Sequence, residues 1–183
     1  MKAMILAGAA LTMLATTLPA SASVQAAAPA TARAAPSPQT PTTAAAFVPM
    51  AGASDLYEIQ SSQLALEKSR NEDVRRYAQM MITHHRQTTE QVTAAAREAG
   101  LTPRPPVLNP EQRANVAALR RLSGAGFDRT YLTQQVRAHE QALALHSTYA
   151  DRGDQPALRR AAAGARPIVQ QHLDEVRTLS RQR

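Results

Sequence analysis

Cysteine is absent from the 183 residues. The chain therefore holds no disulfide, no thiolate metal site and no catalytic thiol. Its fold must rest on packing, or on packing plus a metal held by other side chains. Aromatic residues make up only 3% of the sequence. That is too few to stack successive bases and argues against a nucleic-acid partner, even at a net charge of +7. No run of alternating apolar residues bounded by turn signals suggests a strand. There is no glycine-rich phosphate loop and no nucleophilic serine in a strained turn. Beyond the first 22 residues nothing is apolar enough to span a membrane.

The N-terminal residues read as a secretory signal peptide over 1–22. Met1-Lys2 is a short positive region, Ala3 to Leu18 is an apolar run, and Pro19-Ala20-Ser21-Ala22 carries an Ala-x-Ala cleavage pattern. Cleavage after Ala26 and an uncleaved anchor are the alternatives; the short length argues against the anchor. Residues 23–50, rich in Ala, Pro, Thr and Ser, are expected to be a disordered linker. Residues 51–183 are left as one domain with one core. Export implies a periplasmic or secreted location. The arginine pairs read as helix-face charges, with peripheral contact to anionic lipid or polysaccharide as an alternative.

The domain reads as all helix, rich in alanine. A first helix is expected from about Ser54 to Arg70, capped by Ser54 or Asp55, and a second from Glu72 to Ala99, stopped by Gly100. Asn109-Pro110 with Gln112 predicts a short extra helix opened by a capping box. Asp128 is expected to cap a third long helix ending at Gly153, and Pro156 to open a fourth, kinked at Pro167. Two helical hairpins with a longer crossing segment make an antiparallel four-helix bundle.

The five histidines are the chemically informative residues. On the second helix a seam runs through Val74, Ala78, Met81, His85, Thr88 and Val92, with His84 one step to the side. On the third helix His139 and His146 share a seam with Leu132 and Leu143. His172 lies on the seam of the fourth helix, and Glu58 sits beside the buried face of the first. With both hairpin corners at the same end, Glu58, His85, His139 and His172 lie about 13 to 17 residues from a corner, within roughly 6 Å in height. His146 is expected two turns nearer the corners, near Ala78 and Met81. The four tyrosines are expected at the boundary of the core.

Three imidazoles and one carboxylate suit a divalent ion such as zinc, copper, iron or manganese. The candidate ligands are Glu58, His85, His139 and His172, with His84, His146 and Met81 as additional candidates. A thioether one turn before the histidines would help hold copper, although methionine at helical spacing is also ordinary core filler. The alternative is a buried polar layer of neutral histidines with no ion.

The domain resembles a ferritin-like family of bacterial envelope proteins of unknown function, commonly labelled "predicted outer membrane protein". The residues that carry the likeness are Glu58 with Leu64-Ala65-Leu66, and Tyr77-Ala78 followed by Met80-Met81 and His85. Gly126-Phe127-Asp128 with Tyr131, His139-Glu140, and Pro167 with His172-Leu173 continue it. Met80-Met81-Ile82-Thr83-His84-His85 also looks like the Met-Ile-x-His-His segment of a related envelope family associated with copper. The resemblance implies a ferritin-like bundle, a secreted or periplasmic location, with outer-membrane association as an alternative, and metal binding by analogy. Di-iron ferritins use several carboxylates and Glu-x-x-His motifs. Here Met81 precedes His85 by four residues and Val169 precedes His172 by three, which argues against an iron oxidase.

The expected role is metal handling or envelope stress tolerance, without turnover. A non-catalytic interaction module, a metal-dependent redox enzyme and a histidine-based acid sensor are the other readings.

Overall fold

The computed structural model describes residues 40–182. The expected signal peptide, and the linker as far as residue 39, lie outside the described residues. The elements are α1 (Ala44–Lys68), α2 (Glu72–Glu98), α3 (Pro110–Arg120), α4 (Gly124–Arg152) and α5 (Pro156–Arg181). The four long helices form a bundle, with the short α3 in the connection between α2 and α4. No described helix is long and apolar enough to cross a membrane.

The local signals act where the sequence places them. The Asn71 side chain caps α2, accepting from the N–H groups of Asp73 and Val74 at 3.0 and 3.1 Å. Gly100, at φ 77°, follows its last turn. Asn109 and Gln112 form the predicted reciprocal capping box at 2.8 and 2.9 Å.

α1 departs from expectation by starting ten residues before Ser54, so residues 44–50 are helix and not linker. No residue of its first turn supplies a cap. The Ala44 N–H instead donates to the Asp154 carboxylate, 2.8 Å away at the far end of α4. Phe47 is fully buried and stacks on Tyr149 at 4.0 Å between ring centroids. Tertiary packing thus carries the helix through Pro49, where local propensity predicts none. α4 likewise begins at Gly124, which leaves Asp128 inside the helix and buried, not at its cap.

The corner positions are a second correction. Ala44 opens α1 and meets the end of α4, while Ser62 near the end of α1 shares a 2.8 Å hydrogen bond with Tyr131 near the start of α4. α1 and α4 are therefore antiparallel, and the corners at 69–71 and 153–155 lie at opposite ends of the bundle. The connection from Leu101 to Ser123 carries the chain back along the bundle's length, so two hairpins are joined by one long crossover.

Two apolar clusters fill the ends. Tyr77, Phe127, Tyr131 and Leu173 pack at the α1–α2 corner. Phe47, Val92, Tyr149 and Leu158 pack at the other end. Tyr77, Tyr131 and Tyr149 are fully buried core residues, not boundary residues. Between α1, α2 and residues 101–107 lies an apolar groove of about 440 Å³.

Gly153 closes α4 against Tyr149. A Cβ there would come within 2.6 Å of the Tyr149 carbonyl oxygen, which the backbone must move to relieve. Gly153→Ala is expected to destabilise the domain by about 1–3 kcal/mol, the usual cost of overpacking. Urea denaturation of the two proteins measures it.

Candidate metal centre

The layer between the two apolar clusters is polar. α2 contributes His85 from its buried seam, α4 contributes His139, and α5 contributes His172; all three are buried. Their ring centroids form a nearly equilateral triangle, with sides of 5.6 Å (His85–His139), 5.5 Å (His85–His172) and 5.4 Å (His139–His172). One nitrogen from each ring lies within 4.8 Å of the other two, and this is the one such cluster of three among the described residues.

Each ring is held through one nitrogen. His85 Nδ1 is 2.9 Å from Asp55 Oδ1. The other oxygen of Asp55 accepts from the Thr89 hydroxyl at 2.9 Å. His139 Nδ1 donates to the Gln135 carbonyl at 2.9 Å. His172 Nε2 lies 2.8 Å from His84 Nδ1, and the two rings meet edge to edge, with centroids 5.0 Å apart and planes 14° apart. His85 Nε2, His139 Nε2 and His172 Nδ1 are left buried without a hydrogen-bond partner. Buried polar atoms without partners are unusual and costly, so three of them in one layer ask for an explanation.

The electrostatics favour a neutral imidazole at two of the three positions. Burial, reinforced by His85, lowers the His139 pKa to about 3. Burial, with His85, His139 and His84 adding to it, lowers that of His172 to about 2. Both imidazoles are therefore uncharged at neutral pH and offer lone pairs without competition from protons. Burial also pulls His85 down, but its bond to Asp55 and the charges of Glu58 and Asp55 outweigh that and raise its pKa.

Glu58 reaches the layer but not the trio. Its Oε1 is 3.7 Å from His139 Nδ1, the nitrogen already given to Gln135. Burial raises its pKa to about 7, although His85 pulls the other way. His84 is half-buried beside the trio. Met81 is buried in the apolar cluster with Tyr77 and Leu173. His146 is not near Ala78 and Met81: it is buried at the opposite end, edge-on to Phe47 at 5.5 Å. The reversed direction of α4 puts it there.

Asp55 and Thr89 are the site residues that sequence reasoning missed. An Asp at an expected helix start reads as a cap. Once α1 is known to begin at Ala44, Asp55 and Glu58 are three residues apart on one inward face, and that spacing is the signal that identifies Asp55.

The sequence profile of the family described as "Domain of unknown function (DUF4142)" matches residues 26–179. No curated protein matches the chain. Among solved structures, the chain is similar to a DUF305 fragment from Deinococcus radiodurans, with 21% identity and a TM-score of 0.68 over 80% of this chain and 100% of that one. It is also similar to CopM in its Cu(II)-bound form, with 14% identity and a TM-score of 0.65 over 76% of this chain and 97% of CopM. A silver-bound form of CopM gives 15% identity and a TM-score of 0.63, over 76% of this chain and 96% of CopM. At these identities the likeness establishes the helical fold.

Proposed function

The chain belongs to the DUF4142 family, and for this member we propose a metal-binding role: it holds one ion at the centre of the bundle through His85, His139 and His172. The observation that carries the reading is the convergence of three buried imidazoles whose inward nitrogens have no other partner. Imidazole donors suit copper, zinc, iron and nickel, and at a given nitrogen site divalent copper binds more tightly than zinc. The copper- and silver-bound forms of the similar CopM fold support copper as the ion. Asp55 balances the ion's charge through His85, and Glu58 does so beside His139. With three protein ligands, the role is to hold and hand on the ion, in metal handling or stress tolerance of the envelope. The leader-like residues 1–22 support a periplasmic or secreted location.

Titration calorimetry of the metal-free protein with Cu(II), with elemental analysis of the product, tests this. One equivalent is expected to bind, with Zn(II) weaker. At free Cu(II) a hundred times its dissociation constant, the fold should gain about 2.7 kcal/mol. A protein that takes up no metal and shows no thermal shift would sink the reading in favour of a purely structural histidine layer.

A further inference from the structure

Asp55 and the Gln135 carbonyl hold two of the three rings, and both groups can only accept a hydrogen bond from a neutral imidazole. In the neutral state each therefore fixes its histidine with Nδ1–H outward and the Nε2 lone pair inward. The third ring has a different kind of partner. His84 can accept or donate, so the 2.8 Å contact between His172 Nε2 and His84 Nδ1 has two proton arrangements. In one, His172 donates and its Nδ1 lone pair faces the trio. In the other, His84 donates and His172 Nδ1 carries the proton. That places a buried N–H without a partner in the layer and leaves no lone pair for an ion.

We propose that His84 is a positioning residue: it accepts the Nε2–H of His172 and so holds that ring in the one tautomer that can ligate through Nδ1. The inference rests on the metal reading above. It divides the adjacent pair into a ligand, His85, and a second histidine that acts through a ring on another helix. The geometry supports the division. The His84 ring lies nearly parallel to that of His172, at 14°, and is only half-buried. Its Nε2–H can thus turn outward while Nδ1 accepts. Outer partners of this kind commonly contribute about 10–100-fold to metal affinity.

Nitrogen-15 spectra of the metal-free full chain, correlating ring nitrogens with carbon-bound ring protons, read the tautomer directly. His172 is expected to show a protonated Nε2 and an unprotonated Nδ1. His84→Ala should reduce Zn(II) affinity about 10–100-fold while the stoichiometry stays at one. His84→Asn, whose amide oxygen can take the place of Nδ1, should recover most of that loss. A protonated His172 Nδ1 in the wild type overturns the proposal. So does wild-type affinity in His84→Ala, or no recovery in His84→Asn. X-ray absorption of the zinc form that loses one nitrogen ligand in His84→Ala also overturns it, by making His84 a ligand. If the wild type takes up no zinc, the metal reading fails, and the tautomer spectrum still decides how His84 holds His172.

Discussion

His139→Gln is expected to weaken Cu(II) binding by well over the roughly 10–100-fold that losing an outer-shell partner costs. His139 is fully buried, its pKa of about 3 keeps it neutral, and its inward nitrogen has no other partner. It gives up nothing to bind an ion, so its removal forfeits a whole metal–nitrogen bond. Glutamine keeps most of the side-chain volume, which separates this loss from collapse of the core. Two controls locate the effect. His146→Gln alters a buried histidine at the far end of the bundle and should leave affinity unchanged. Glu58→Gln removes the carboxylate beside His139 and should change affinity far less than His139→Gln, because Glu58 faces the nitrogen that already bonds the Gln135 carbonyl. Competition titrations against a chelator of known affinity measure all three. Equal losses in Glu58→Gln and His139→Gln would restore the carboxylate to the ligand set.

The layer was legible because a helix seam is legible. A 3.6-residue period assigns an inward face without knowing which helix it meets, and it assigns His85, His139 and His172 correctly. Height along the bundle depends on topology, and placing both corners at one end was an error. It did little harm to His139, which lies near the middle of α4, since reversing a helix leaves its midpoint in place. His146 lies two turns from that midpoint and moved to the other end of the bundle. Asp55 was hidden for a different reason. What carries α1 back to Ala44 is the packing of Phe47 on Tyr149 and the carboxylate of Asp154, both supplied by residues about a hundred positions away. No local window contains that information.

Acidification should destabilise the metal-free protein in two stages. His139 and His172 have folded pKa values of about 3 and about 2, against 6.5 when unfolded. Groups depressed in this way contribute stability that is complete above pH 6.5 and is lost as pH falls toward their folded values, because the unfolded chain binds the protons first. Glu58 has the opposite sign. Its pKa rises from 4.5 to about 7, so its contribution is complete below pH 4.5 and is lost as pH rises through 7. His85 is raised, so its contribution is already complete by pH 6.5 and leaves the slopes below it unchanged. Between pH 6.5 and 4.5 the unfolded chain takes up two histidine protons while the fold holds one on Glu58. Stability should then fall by at least about 1.4 kcal/mol per pH unit. Below pH 4.5 Glu58 no longer offsets the histidines, and the slope should steepen by about a further 1.4 kcal/mol per pH unit toward pH 3. Burial lowers His146 as well, which steepens both stages. Since small domains are stable by only about 5–15 kcal/mol, the second stage is expected to unfold the bundle between about pH 3 and 4. Urea denaturation followed by circular dichroism at half-unit steps measures the profile. Glu58→Gln should remove the break at pH 4.5 and bring the steep slope up to pH 6.5, and a profile that stays flat from pH 6.5 to 3 would show that the histidines are not held neutral in the fold.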